Sequence, residues 1–254
     1  MKAIILAAGE GKRLRPYTDD RPKCMVDVCG SSLIERQLSV LNSEGVSDIT
    51  IVGGYKSHML RPYSDNLLEN INYSSTNMVW TLFCAEEQLQ GNVLICYGDI
   101  VYSRSILKTL LKSTADISTT IDMDWESYWR ARDEDVLSDA ETLRLDIDGC
   151  ILEVGGKPTT VNEIEGQYMG LIKLNNKGTS IFKSTFQHGL QYGLMGRLAK
   201  DAYMTDLLQE VINSGNCVKS IPIHGGWVEV DTVSDLNAEI TCNRLRDIDL
   251  SLNQ

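Results

Sequence analysis

The sequence predicts an α/β fold, a mostly parallel mixed sheet with helices on both faces. Three observations carry that reading. The chain opens on an apolar run, Lys2-Ala3-Ile4-Ile5-Leu6-Ala7-Ala8, that breaks at Gly9-Glu10-Gly11. Strand-like and helix-like periodicities then alternate through residues 1–115, as right-handed βαβ crossovers require. Finally, 254 residues with 43% hydrophobic content suffice to bury one large core.

Taken in order, residues 2–7 read as the first strand. Ser32-Leu33-Ile34-Glu35 is a capping box opening a helix with an apolar stripe of Leu33, Ile34, Leu38 and Leu41, stopped by Gly45. Residues 48–53 form a second strand, and 56–69 a helix that Pro62 interrupts or delays. A helix over 78–89, a buried strand over 92–97 and a helix over 103–113 complete the first half. Beyond it, 116–122, 142–147, 150–154 and 167–174 read as successive strands, with Asp148-Gly149 turning between two of them. A polar segment, 124–141, lies among these strands. Helices near 176–187, 203–214 and 232–246 surround a last strand at 217–223. With no repeat or low-complexity linker, one domain over residues 1–254 is the economical division.

Composition narrows the function. No run approaches the roughly 18 apolar residues of a membrane span, and the first strand is too short for a signal peptide. A cytoplasmic protein is therefore expected. The formal net charge of −11 argues against nucleic acid or an anionic membrane as partner. The seven cysteines (24, 29, 84, 96, 150, 217, 242) form no Cys-x-x-Cys pair. An odd count suits a reducing compartment, with most thiols acting as small core hydrophobes.

Against this acidic background the first loop stands out. Lys12, Arg13, Arg15, Arg21 and Lys23 are opposed there only by Asp19 and Asp20. A buried strand feeding a glycine turn lets backbone N–H groups approach a ligand, and clustered cations beside them describe a polyphosphate cradle. The loop is not a P-loop: Gly156-Lys157 has Ile151 where the first Gly belongs and Pro158 after the Lys. Nor is it a dinucleotide fingerprint, because Leu14 replaces the third Gly.

The run Leu6-Ala7-Ala8-Gly9-x-Gly11-x-Arg13-Leu14-x-Pro16, followed by Pro22-Lys23, resembles the signature of the sugar-phosphate nucleotidyltransferase superfamily. The resemblance extends over nearly the full length, to Gly226-Trp227-Val228-Glu229-Val230-Asp231-Thr232. It implies a Rossmann-like α/β fold that joins an NTP to a phosphorylated acceptor and releases pyrophosphate. It also implies a nucleotide-binding half (1–115), an acceptor-binding half (116–230) and a C-terminal helix (231–254). No Gln-x-x-Pro-x-Gly-x-Ala stretch of the uridylyl and thymidylyl enzymes occurs. Thr76-Asn77-Met78-Val79-x-Thr81-Leu82 is instead similar to short CTP-dependent cytidylyltransferases acting on phosphocholine, 2-aminoethylphosphonate or phosphoglutamine. Asp124-Trp125 and Asp139-Ala140-Glu141-Thr142 resemble the phosphoglutamine group of capsule polysaccharide phosphoramidate synthesis.

Nucleotidyl transfer gathers negative groups in line, so it calls for Arg, Lys and a divalent metal rather than a nucleophilic side chain. Arg13 is the candidate for the β- and γ-phosphates through a bidentate contact. By resemblance, Lys23 reaches the α-phosphate and the acceptor phosphate. Leu6, Ala7, Ala8, Gly9, Glu10, Gly11, Gly54, Tyr55, Thr76, Asn77 and Met78 are expected to bind the nucleotide. Asp99 follows the strand 92–97, where ligands of open α/β sheets gather. Glu229 and Asp231 sit two apart and share one face of an extended segment. These three carboxylates are the expected Mg²⁺ ligands, although Asp99 alone would also serve as a turn brace and Asp231 as a helix cap. Trp125, Trp129, Arg132, Glu165 and Tyr168 are acceptor candidates, with packing the alternative for the tryptophan pair.

The expected partners are CTP and a small phosphorylated acceptor, without nucleic acid or membrane, and a homodimer is left open. Two alternatives stay open: a sugar-1-phosphate uridylyl- or thymidylyltransferase, and a non-catalytic nucleotide-binding regulatory module. Segment 124–141 is a candidate lid.

Overall fold

The computed structural model describes residues 1–132 and 135–252. Its strands are β1 (Lys2–Ala7), β2 (Asp27–Val28), β3 (Ser31–Ser32), β4 (Asp48–Gly53), β5 (Asn66–Glu69), β6 (Val93–Tyr97) and β7 (Ile100–Tyr102). They continue as β8 (Ile117–Asp122), β9 (Leu143–Leu145), β10 (Ile151–Val154), β11 (Gln167–Leu174), β12 (Lys219–Ile223) and β13 (Trp227–Glu229). The α-helices are α1 (Leu33–Ser43), α2 (Met78–Phe83), α3 (Arg104–Leu111), α4 (Trp125–Arg132), α5 (Asn176–Tyr192), α6 (Met204–Asn213), α7 (Val233–Asn237) and α8 (Glu239–Leu252).

Seven strands form the central sheet in the order β12-β8-β11-β6-β1-β4-β5. All neighbours run parallel except β11, which lies antiparallel to both β6 and β8. The fold class read from the sequence is therefore the observed one. Alternate side chains of β1 enter opposite cores: Ala3, Ile5 and Ala7 join α1 and α3, while Ile4 and Leu6 join α2, α5 and α6. That division explains why β1 is apolar from Ala3 onward, since a strand covered on both faces has no side to give to water. Because β1, β4 and β6 run parallel, their carboxyl ends lie side by side at one end of the sheet, where ligands of such folds collect.

Local chemistry sets the boundaries. Ser32 caps α1 and Glu35 returns the bond, forming the expected capping box, and Gly45 takes the left-handed conformation that ends the helix. The helix expected over 56–69 is absent. Ser57–Tyr63 is a 3-10 helix and Asn66–Glu69 is strand β5. Pro62 lacks the N–H an α-helix needs, and Asn66–Glu69 instead bonds the free edge of β4. The helix expected over 78–89 stops at Phe83, because Ala85 and Leu89 turn into the core. The helix expected over 232–246 is split at the extended Ala238 into α7 and α8, which lets Leu245 and Ile248 reach a third cluster around Leu14.

The cysteine expectation is corrected. Four of the seven are paired, Cys29 with Cys242 and Cys150 with Cys217. Only Cys24 and Cys96 are free, buried thiols, with Cys84 free and half-buried. The spacing along the chain concealed the pairs, because one partner lies 213 and the other 67 residues away. Among the described residues, no helix is long and apolar enough to cross a membrane.

Candidate active site

The glycine loop leaves β1 and turns at Gly11, which is left-handed at φ +62°. An added Cβ there would lie 3.0 Å from both the Lys23 and Thr18 side chains, so the turn needs glycine for space as well as conformation. Thr18 donates to the Gly11 carbonyl at 2.8 Å, and fully buried Leu14 anchors the far side of the loop. At the end of β6, the Gly98 N–H donates to the Leu6 carbonyl at 2.9 Å. A Cβ on Gly98 would meet that same oxygen at 2.7 Å. This close approach delivers Asp99 beside the loop.

The two-stranded sheet of β7 and β13 completes the arrangement. Ile100 pairs with Glu229, and the Val230 N–H donates to the Asp99 carbonyl at 3.1 Å. Asp231 thus stands next to Asp99 although 132 residues separate them (231 minus 99). Lys23 bridges the two, with Nζ 2.7 Å from Asp99 Oδ2 and in contact with Asp231 Oδ1. Arg13 Nη2 lies 3.0 Å from Asp231 Oδ2, and its Nη1 faces Asp139 Oδ1 at 3.9 Å. Burial alone would lower the Lys23 pKa, but Asp99 and Asp231 reverse this and keep the ammonium charged. Burial would raise Asp231; Lys23 first, then Arg13, hold it below the usual carboxylate range.

Three connected recesses meet at this cluster. A narrow one of about 120 Å³ is lined by Leu6, Ala7, Ala8, Gly9, Thr76, Asn77 and Met78 together with Tyr73 and Lys23. A second, of about 340 Å³, is walled by Gly9, Glu10, Gly11, Arg13, Lys23, Asp99 and Asp231. A third, of about 270 Å³, runs from Arg13, Asp99 and Asp231 to Trp129, Glu141, Tyr168 and Thr205. Nine of the eleven residues expected at the nucleotide therefore line the first two recesses. Gly54 and Tyr55 stand behind them: the Tyr55 N–H donates to the Ala8 carbonyl at 3.1 Å, and a Cβ on Gly54 would strike that oxygen at 2.7 Å.

A MobA-like NTP transferase domain matches residues 3–128. A CTP:phosphoglutamine cytidylyltransferase of Campylobacter jejuni is 35% identical over 94% of this chain and 99% of its own length. The chain is a nucleotidyltransferase of this MobA-like family. A choline-phosphate cytidylyltransferase of Streptococcus pneumoniae is 36% identical over 45% of the chain and 52% of its own length. An inositol-1-phosphate CTP transferase from T. maritima shares the fold, with a TM-score of 0.76 and 20% identity over 98% of this chain and 96% of that one.

The remaining residues of the nucleotidyltransferase fall into two groups. Trp129 and Tyr168 line the third recess. Trp125, Arg132 and Glu165 do not reach it. Trp125 is 4% exposed and packs edge-on against Trp129 at 6.1 Å, so the pair shares a helical face as its spacing required. Arg132 is spent internally: Nε donates to Asp235 at 2.9 Å and Nη1 to Glu229 at 3.2 Å, with the guanidinium over the Tyr128 and Trp129 rings. It borders the opening beside Thr232 and Ser234 instead. The exposed Glu165 accepts from the Leu145 N–H at 2.6 Å.

Divalent metals generally serve enzymes of this type, and the carboxylates here fit one. Asp99 Oδ1 is buried without a hydrogen-bond partner, an orphaned hard oxygen beside Asp231. Oxygens of Asp139, Glu229 and Asp231 also lie within 4.8 Å of one another. Burial and the Asp231 charge raise Glu229, with Arg132 opposing. Asp139 and Tyr73 were missed from the sequence as site residues. Asp139 lies in a polar segment without periodicity, and Tyr73 precedes the Thr76-Asn77-Met78 run; neither carries a local signal of its direction.

Proposed function

We propose that this nucleotidyltransferase is a Mg²⁺-dependent cytidylyltransferase that transfers CMP from CTP to a small phosphorylated acceptor and releases pyrophosphate. Phosphoglutamine is the first choice of acceptor, then phosphocholine and 2-aminoethylphosphonate. The observation that carries this reading is the convergence of Lys23, Arg13, Asp99 and Asp231 where the glycine loop meets two open recesses. The near full-length likeness to a cytidylyltransferase supports the choice of CTP.

In this mechanism an acceptor phosphate oxygen attacks the α-phosphorus while the bond to the bridging α–β oxygen breaks. Pyrophosphate leaves with the electron pair. The loop amides and Arg13 hold the β- and γ-phosphates, and Arg13 meets the growing charge on the leaving group. Lys23 holds the α-phosphate against the attacking phosphate, offsetting the repulsion between them. Asp99 and Asp231, with Glu229 and Asp139 nearby, would hold the metal, which supplies Lewis-acid neutralisation of the phosphate oxygens. Leu6, Ala7 and Ala8 give the base an apolar floor, while Thr76 and Asn77 offer polar groups to its edge.

The test is pyrophosphate release with Mg²⁺, crossing four NTPs with phosphoglutamine, phosphocholine, aminoethylphosphonate, glycerol 3-phosphate and glucose 1-phosphate. Signal confined to CTP is expected. Preference for UTP or dTTP with glucose 1-phosphate would sink the reading.

A further inference from the structure

Behind the wall of the first recess, one side chain uses every polar atom it has. Asn70 follows β5 directly and is 1% exposed. Its main chain is fixed on both sides: the N–H donates to the Gly53 carbonyl at 2.8 Å, and the carbonyl accepts from the Tyr73 N–H at 3.2 Å. The side-chain amide has a single workable orientation. The Asn72 N–H donates to Oδ1 at 3.0 Å, and a backbone N–H can face only an acceptor, so the two protons of Nδ2 point the other way. They meet the hydroxyl oxygens of Thr76 at 2.9 Å and Thr81 at 3.0 Å.

Those bonds set the polarity of the hydroxyls. A threonine hydroxyl has one proton to give and two lone pairs. Thr76 gives its proton to the Asn72 carbonyl at 2.9 Å, and Thr81 gives its own to the Asn77 carbonyl at 3.3 Å. One lone pair on each accepts from Asn70. Thr76 is therefore left with one lone pair and no proton to offer. It is half-buried and lines the first recess beside Leu6, Ala7 and Ala8.

We propose that Asn70 is the positioning residue for base selectivity. It holds the Thr76 hydroxyl as an acceptor toward the recess, which then takes a base bearing an exocyclic amine and rejects one with a carbonyl at that place. The inference rests on the reading above that this recess holds the base. Cytosine carries an amine at C4 that donates to such an oxygen, whereas the O4 of uracil would meet it lone pair to lone pair. To serve uracil, Thr76 would have to withdraw its proton from the Asn72 carbonyl, and its other side is already taken by the Asn70 amide. Without the Nδ2 donor the Thr76 side chain is free to turn, and its proton can reach O4.

The experiment is calorimetric binding of CTP, UTP and 4-deamino-CTP, with inorganic pyrophosphate as a probe of the phosphate cradle alone. Wild type is expected to bind CTP about 10- to 100-fold more tightly than the other two nucleotides, the worth of one buried hydrogen bond made or left unmade. In Thr76→Val that ratio falls toward one, and Thr76→Ser keeps it. In Asn70→Ala the preference for CTP over UTP falls about tenfold or more while pyrophosphate affinity stays unchanged, which a general loosening of the fold would not give. Asn70→Ser, which keeps a polar group in the buried place, serves if Asn70→Ala does not fold. An unchanged ratio in Thr76→Val overturns the inference, and so does equal weakening of all three nucleotides in the Asn70 variants. Wild type that binds CTP and UTP equally overturns it as well. Absence of turnover in the acceptor panel, with CTP selectivity present in wild type and lost in Thr76→Val, sinks cytidylyl transfer and leaves this inference standing.

Discussion

Lys23 Nζ lies 2.7 Å from Asp99 Oδ2 and also bonds Asp231, so the cation assigned to phosphate neutralises the carboxylates assigned to metal. Nucleotide phosphates and metal therefore compete with an internal ion pair, and each ligand frees the partner of the other. Replacing Lys23 by Met should lower kcat about 10²- to 10³-fold, the cost of losing one preorganised donor. The same variant should bind Mn²⁺ more tightly than wild type when CTP is absent. Titration followed by the Mn²⁺ paramagnetic signal checks this; equal or weaker binding would refute the competition.

Arg13 depends on geometry as much as charge. Its guanidinium spans Asp231 and Asp139, and a planar fork of this kind can bridge two phosphate oxygens where an ammonium cannot. Arg13→Lys should therefore cost at least about tenfold in kcat/KM for CTP, from a charge-assisted bond of about 1.5–3 kcal/mol, with thermal stability unchanged. Steady-state kinetics beside a melting curve separate the two.

Arg132 has the opposite profile. It is 6% exposed at its side chain and serves two acids, Asp235 and Glu229. Arg132→Met should destabilise the fold by about 3–5 kcal/mol, because it leaves buried carboxylates unpaired. Urea unfolding measures this, and a loss under about 1 kcal/mol would show that the site reorganises.

The pH dependence of stability follows from Asp235. Burial pushes its carboxyl up, but the Arg132 hydrogen bond and charge, with the amides of Asp231 and Thr232, bring it below the usual value. A carboxylate with a depressed folded-state pKa stabilises fully above its unfolded value of about 3.9 and loses that contribution as pH falls through the folded value. The stability gap between wild type and Asp235→Asn should be constant from about pH 5 to 8 and close below about pH 4. A gap that widens on acidification would reverse the assignment.

The disulfides give a third handle on stability. Cys29–Cys242 ties α8 to the β2–β3 hairpin, where Arg36 already binds Asp249 at 3.0 Å and the Val28 carbonyl at 2.7 Å. Reduction should lower stability by about 2–4 kcal/mol per closed loop in the chain-entropy account, without loss of turnover. Melting curves with and without dithiothreitol test this, alongside Cys29→Ser and Cys150→Ser to apportion the effect.

The glycine-loop side of the molecule was legible in the sequence because its signals are local. Gly9-x-Gly11, the capping box at Ser32 and the apolar β1 each announce themselves within a few residues. The third recess was less legible because side-chain direction, not residue identity, decides what reaches it. Arg132 and Trp129 are three apart on α4, yet Trp129 faces the recess while Arg132 turns to Asp235. Asp139 meets Asp231 only through the fold, and the cysteine partners are likewise brought together across long stretches of chain.

Strand β11 ends the excursion that leaves the sheet at Asp122, and it reinserts between β6 and β8 as the lone antiparallel strand. The described residues of 123–166 thus enter and exit through adjacent ladders, while β1, β4 and β5 lie beyond β6. The excursion is nonetheless stitched to the rest of the chain, by Asp139 facing Arg13 at 3.9 Å and by the Cys150–Cys217 disulfide. Any graft of this segment must therefore carry with it a partner for Arg13 and a partner for Cys217, or leave both bereft.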